Sequence, residues 1–171
     1  MLSIKRITID QLDILLAFSK KTFYDFFAQL NEPANMEAYS AVAFAPENMQ
    51  RQLANPDSHF YFAMIGNEIA GYLKLNFNDA QTEYKDKNAL EVERIYVSAE
   101  HHGKKFGKEL LNFVVEMAKE KRFNYVWLGV WEHNEKAIGF YKHSGFEFCG
   151  THEFLLGDER QTDLLMKKVI V

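Results

Sequence analysis

The apolar positions of the chain keep two rhythms. Ile4, Ile7 and Ile9 supply β-branched bulk to a first strand over residues 4–9. From residue 12 the spacing changes to threes and fours. Leu12, Leu15, Leu16, Ser19, Phe23, Phe26, Phe27 and Leu30 fall along one helical face, with Asp10 as the expected N-cap. Pro33, within the polar run 31–35, breaks that helix. A second helical stretch over residues 36–53 is interrupted at Ala45-Pro46, because proline cannot continue a helix interior. Residues 59–65 and 69–77 read as a hairpin around Gly66-Asn67-Glu68. A polar loop covers 78–88, and a strand follows over 90–97. In the strongly periodic helix 104–122, Phe106, Leu110, Phe113, Val114, Met117 and Ala118 share a face. Residues 125–130 are apolar without alternation, as in a strand buried on both faces. A short helix is expected over 134–143, with Gly145 at its left-handed C′ position. The last strands are 147–154 and 164–171, separated by a turn at Gly157-Asp158 and a polar stretch.

This order is strand, two helices, a run of strands, then β-α-β-α-β-β. It predicts an α/β chain with a mixed sheet. No repeat, low-complexity tract or linker divides residues 1–171, so a single domain is expected. Charged residues make up 26% and aromatics 15%, a balance that supports a core of large side chains and argues against long disorder. The net charge of −4 argues against nucleic acid as a partner. No apolar run approaches the ~20 residues needed to cross a bilayer, so no membrane partner is expected. Met1-Leu2-Ser3-Ile4-Lys5-Arg6 turns charged at once, unlike a secretory signal. The lone Cys149 cannot form an internal disulfide, which agrees with a cytoplasmic location. It reads as a packed small hydrophobe rather than a reactive thiol.

Three segments carry candidate chemistry. In Glu100-His101-His102-Gly103-Lys104-Lys105-Phe106-Gly107-Lys108 a strand ends, glycine turns the chain and a helix begins. Free N–H groups and the positive helix end suit phosphate. The lysines there are unfavourable for the helix alone, and this sets them apart from scattered solvated charge, the alternative reading. The adjacent His101 and His102 are read as exposed loop residues. They point in different directions and no Cys or carboxylate set completes a ligand group, so no metal is expected. In Glu91-Val92-Glu93-Arg94-Ile95-Tyr96-Val97, strict alternation would put Glu91, Glu93, Ile95 and Val97 on one face. A carboxylate there can be a general base or one half of an ordinary ion pair. In residues 131–141, Asn134 is a natural N-cap. Tyr141, two turns on, can donate a proton or simply pack.

Taken together these residues resemble the GNAT superfamily of N-acetyltransferases. The run His102-Gly103-Lys104-Lys105-Phe106-Gly107 is similar to its phosphate loop, with His102 where the family carries Gln or Arg and Lys105 where it carries the central glycine. Asn134, Ala137, Ile138, Phe140, Tyr141, Gly145 and Phe146 follow its second signature. Three further runs, 93–97, 127–132 and 157–164, look like bacterial PaiA-type spermine/spermidine acetyltransferases.

The resemblance implies a central, splayed mixed sheet flanked by helices, and direct transfer of acetyl from acetyl-CoA to a primary amine, without a metal. The amine it implies is a polyamine or similar small molecule. Peptide N-termini, amino sugars or non-catalytic acetyl-CoA sensing are the alternatives. Pyrophosphate would sit on His102, Gly103, Lys104, Lys105, Phe106, Gly107 and Lys108, and the pantetheine arm along Ile95, Tyr96 and Val97. Asn134 would hold the cofactor or order its helix, and Tyr141 would protonate the departing thiolate. Glu93, with Glu91 second, would take the amine proton through water, its pKa raised by burial. A polyamine cleft would be rich in carboxylates; Glu32, Glu37, Asp79, Glu83 and Asp86 lie in segments that could line one, and read equally as solvated loop charges. Many relatives dimerise, so the resemblance also allows a homodimer.

Overall fold

The structure is a computed structural model describing residues 1–171. Strand β1 (Leu2–Arg6) leads into helices α1 (Leu12–Phe27), α2 (Pro33–Ala43) and α3 (Pro46–Ala54). Strands β2 (Ser58–Ile65) and β3 (Glu68–Asn76) form the hairpin, and β4 (Ala89–Val97) follows a loop. Then come α4 (Phe106–Glu120), β5 (Tyr125–Trp131), α5 (Glu135–His143), β6 (Glu147–Leu156) and β7 (Glu159–Val169). Pro33 and Pro46 each stand in the first turn of their helix, where a missing N–H costs nothing. The expected N-cap Asp10 is not the cap. Gln11 precedes α1 at that place, and Thr8 caps the short 3-10 turn Ile9–Gln11 that leads into it, its backbone N–H donating to Gln11 Oε1 at 3.0 Å. The polar stretch expected after Gly157-Asp158 is instead the first half of β7.

The sheet order is β1-β2-β3-β4-β5-β7-β6. Only β4 and β5 are parallel. This is the mixed sheet that the element order predicts, and it is splayed at that pair. One face packs against α4 and α5 around Leu73, Leu90, Leu110, Val114 and Leu128. The other packs against α1, α2 and α3 around Leu15, Met36, Met49, Phe60 and Tyr72. Cys149 is half-buried against Trp127 and Leu165, with Sγ 3.4 Å from the Tyr84 hydroxyl. No helix is long and apolar enough to cross a membrane.

Candidate active site

The parallel pair β4–β5 runs only from Ala89 opposite Tyr125 to Val92 opposite Leu128. Beyond it β5 continues with β7 alone, so residues 93–97 show an edge with no strand partner. The same point carries a bulge. On β3, Lys74 faces Arg94 but Leu75 faces Val92, which leaves Glu93 as an extra residue. The bulge reverses the alternation. Leu90 and Val92 before it, and Ile95 and Val97 after it, pack on the α4 side. Tyr96 packs on the α1 side. Glu91, Glu93, Ile95 and Val97 therefore do not share one face, contrary to expectation.

On the α4 side the splay opens a cleft of about 1080 Å³. Ile95, Tyr96 and Val97 line one wall, and His102, Gly103, Lys105, Phe106, Gly107 and Lys108 line another. Lys104 is exposed and lies outside this lining. The amides of Gly103, Lys105, Phe106 and Gly107 have no backbone acceptor, so the start of α4 offers a set of free donors. Those donors, beside two lysines, fit a pyrophosphate. Lys105 is the residue that starts the helix, at φ +66°, in left-handed backbone. His102 is committed elsewhere, its Nε2 donating to the Val97 carbonyl at 2.8 Å. It tethers the turn to the strand end. His101 is not an exposed loop residue. It is buried beside Phe106, with Nε2 3.4 Å from Glu68.

Asn134 and Tyr141 also line this cleft. The Asn134 side chain accepts from the Ala137 amide at 3.2 Å, which makes it the N-cap of α5. At the other end, Phe146 N–H donates to Tyr141 O and Gly145 N–H to Lys142 O, both at 3.0 Å. Gly145 is at φ +90°, and the Phe146 ring meets that of Tyr141 at 5.8 Å. This is a Schellman cap with its hydrophobic contact. It fixes Tyr141 in the wall. Burial alone pushes the Tyr141 pKa above its usual value, so the phenol keeps its proton at neutral pH.

On the opposite side of the sheet lies a second cavity of about 300 Å³. Glu93, Tyr96, Gly129, Trp131 and Phe27 line both spaces, so the two meet where β4 parts from β5. Glu83, Glu91 and Asp163 also face the second cavity, together with Arg94. Glu32, Glu37, Asp79 and Asp86 line neither space; Asp86 instead accepts from the Tyr125 hydroxyl at 3.0 Å. Glu91 is buried and held by the Thr82 amide at 2.8 Å, the Thr82 hydroxyl at 2.5 Å and Asn76 Nδ2 at 3.0 Å. Burial raises its pKa.

Glu93 behaves differently. It is paired with the buried Lys74, and Asn76 Nδ2 donates to it at 2.6 Å. Burial pushes its pKa up. The charges of Lys74 and Arg94 and these hydrogen bonds outweigh burial, and the net direction is down. This corrects the expectation that burial would make Glu93 more basic. Asp163 was not singled out from the sequence, because it lies in the stretch read as loop. Burial pushes its carboxyl up to about 6, against a smaller opposing effect of His152. Its Oδ2 lies 3.3 Å from where a Cβ on Gly129 would stand.

Residues 22–146 match the sequence profile of the acetyltransferase (GNAT) family. The chain belongs to this family. It is 40% identical to an uncharacterized N-acetyltransferase in the pepI 3′ region of Lactobacillus delbrueckii subsp. lactis, over 100% of both chains. It is 22% identical to a spermidine N(1)-acetyltransferase of Thermoplasma acidophilum, covering 98% of this chain and 96% of that one. In fold it is similar to the crystal structure of the PaiA N-acetyltransferase of that organism in complex with coenzyme A. The TM-score is 0.79 at 21% identity, over 99% of each chain. Family membership makes this GNAT protein an acetyl-CoA-dependent N-acetyltransferase.

Proposed function

We propose that this protein transfers acetyl from acetyl-CoA directly to the primary amine of a small molecule, with the α4-side cleft taking CoA and the second cavity taking the amine. The observation that carries this reading is Glu93, the one carboxylate that lines both spaces. Free amides at the start of α4, with Lys105 and Lys108, receive the pyrophosphate. The unpaired edge 93–97 receives the pantetheine arm and offers N–H donors to the carbonyl oxygen as charge develops on it.

An aliphatic amine has a pKa near ~10 and arrives protonated. Glu93, ionised and held by Lys74, draws the ammonium in and orients the water that carries its proton out to solvent. The free amine then attacks the thioester carbon. A C–N bond forms, the C–S bond breaks, and the sulfur leaves toward the Tyr141 hydroxyl, which stays protonated and can donate. Asp163, beside Gly129 at the junction, is a second proton acceptor.

The likeness to one spermidine acetyltransferase brings polyamines into the range of acceptors; the carboxylates Glu83, Glu91, Glu93 and Asp163 suit the ammonium of any small amine. The test is acetyl-CoA-dependent thiol release against polyamines, amino acids, peptides and amino sugars. Saturable release with a small amine is the expected result. Tight CoA binding with no release for any amine would turn the reading into a non-catalytic binding module. Small amines differ in what else they carry, and the charges of the second cavity discriminate among them.

A further inference from the structure

Arg94 is the only lysine or arginine that lines the second cavity. Its Nη1 is buried with no hydrogen-bond partner. It forms no ion pair, while the neighbouring Glu93 is taken by Lys74 and Asn76. Its guanidinium lies 5.5 Å from the Phe44 ring centroid, and that ring lines the same cavity. A guanidinium nitrogen buried without an acceptor is costly, and proteins keep such groups hydrogen-bonded. The bulge supplies the second observation. Adjacent residues of a regular strand face opposite ways. Here the extra residue lets Glu93 and Arg94, neighbours in sequence, line one cavity. An anion and a cation are thus set side by side where the amine must enter.

Resting on the amine-acetyltransferase reading, we infer that Arg94 binds the carboxylate of the acceptor, which is a free amino acid. Its ammonium faces Glu93 and its carboxylate makes charge-assisted hydrogen bonds to the guanidinium, for which arginine's planar fork is suited. Phe23, Tyr39, Phe44 and Phe154 are grouped among its lining residues, and an apolar side chain placed against these rings is preferred. The volume of about 300 Å³ lies at the small end of ligand sites and suits one amino acid. Spermidine brings no anion to Arg94 and adds like charge beside it.

The experiment measures kcat/KM for thiol release with apolar L-amino acids, with the amines that lack only the carboxylate, and with spermidine. The wild-type protein should prefer the amino acid over its decarboxylated counterpart by about ten- to a hundredfold, the worth of a hydrogen bond to a charged group. In Arg94→Gln that ratio should fall close to one, mainly through KM for the amino acid, with CoA affinity unchanged. Should Arg94→Gln fold poorly, the wild-type protein still decides. In the presence of CoA, the amino acid should raise its melting temperature and the decarboxylated amine should not. Equal kcat/KM for the two, or preference for spermidine, would overturn the role of Arg94 and leave the acetyltransferase reading intact. Absence of release with every amine would end both.

Discussion

Lys105 occupies the position where left-handed backbone favours glycine, at φ +66°. A side chain there costs about 1 kcal/mol, so the charge is kept against a local penalty. Lys105→Gly should therefore raise stability by about that amount, read by thermal unfolding. Lys105→Asn tolerates the same backbone and removes only the charge. It should weaken CoA binding and lessen its salt dependence; an unchanged salt dependence would show that Lys105 does not meet phosphate. The carboxylates separate in the same manner. Glu93 has a depressed pKa, so its titration lies below the range of an ordinary assay. Glu93→Gln should lower kcat by ~10²-fold or more without moving the pH profile. Asp163 is the group that titrates within reach, at about 6. A folded pKa raised above the unfolded value near 3.8 means stability that is full below that value and lost as pH rises through about 6. Asp163→Asn should thus stabilise the protein above pH 6 by on the order of 2–3 kcal/mol, and remove the acidic limb near 6 from the rate profile. A limb that survives the substitution would assign it to another group.

Elements differ in how far their neighbours in sequence determine them. Helix α5 was readable, because Asn134 at its start and Gly145 after its end are local signals. The bulge at Glu93 was not, because it is a mismatch in count between β3 and β4, two strands separated by a loop. Strand alternation predicted the faces of Leu90 and Val92 relative to Glu91, and failed from Glu93 onward. The first half of β7 reads as a polar stretch in the sequence because Gln161 and Asp163 are polar. They face inward to a cavity, not to an apolar core, which is where local rules fail at functional sites. The cap of α5 also yields a prediction. A Cβ at Gly145 would add a left-handed penalty and stand 2.5 Å from Lys168 Nζ, which donates to Ser144 O at 2.7 Å. Gly145→Ala should cost about 1–2 kcal/mol and lower kcat by loosening Tyr141. Tyr141→Phe should lower kcat with stability and CoA affinity kept. A Tyr141→Phe protein of full activity would remove the phenol from the reaction.

At the scale of the molecule, function depends on a sheet that fails to close. The chemistry-bearing residues of the CoA side lie within one stretch, 91–146, and that stretch falls inside the family match. This is why so much of the cleft was legible. The second cavity is assembled from α1, α2, β3, the loop before β4, β4, β5, β6 and β7, and His152, Phe154, Gln161 and Asp163 lie beyond the matched residues. No spacing along the chain could announce it. The two spaces communicate past Gly129, a glycine inside an otherwise bulky strand, exposed between Leu128 and Val130. Glycine is a poor strand residue, so its retention there costs stability. Gly129→Val should leave the fold intact, read as a cooperative unfolding transition. Its side chain would project at the junction toward Asp163, whose Oδ2 already stands 3.3 Å from the Cβ position. Turnover should fall by at least about tenfold, because displacing reactants by an ångström costs that much or more, while CoA still binds at the start of α4. Full turnover in Gly129→Val would mean that acetyl and amine do not meet at the splay.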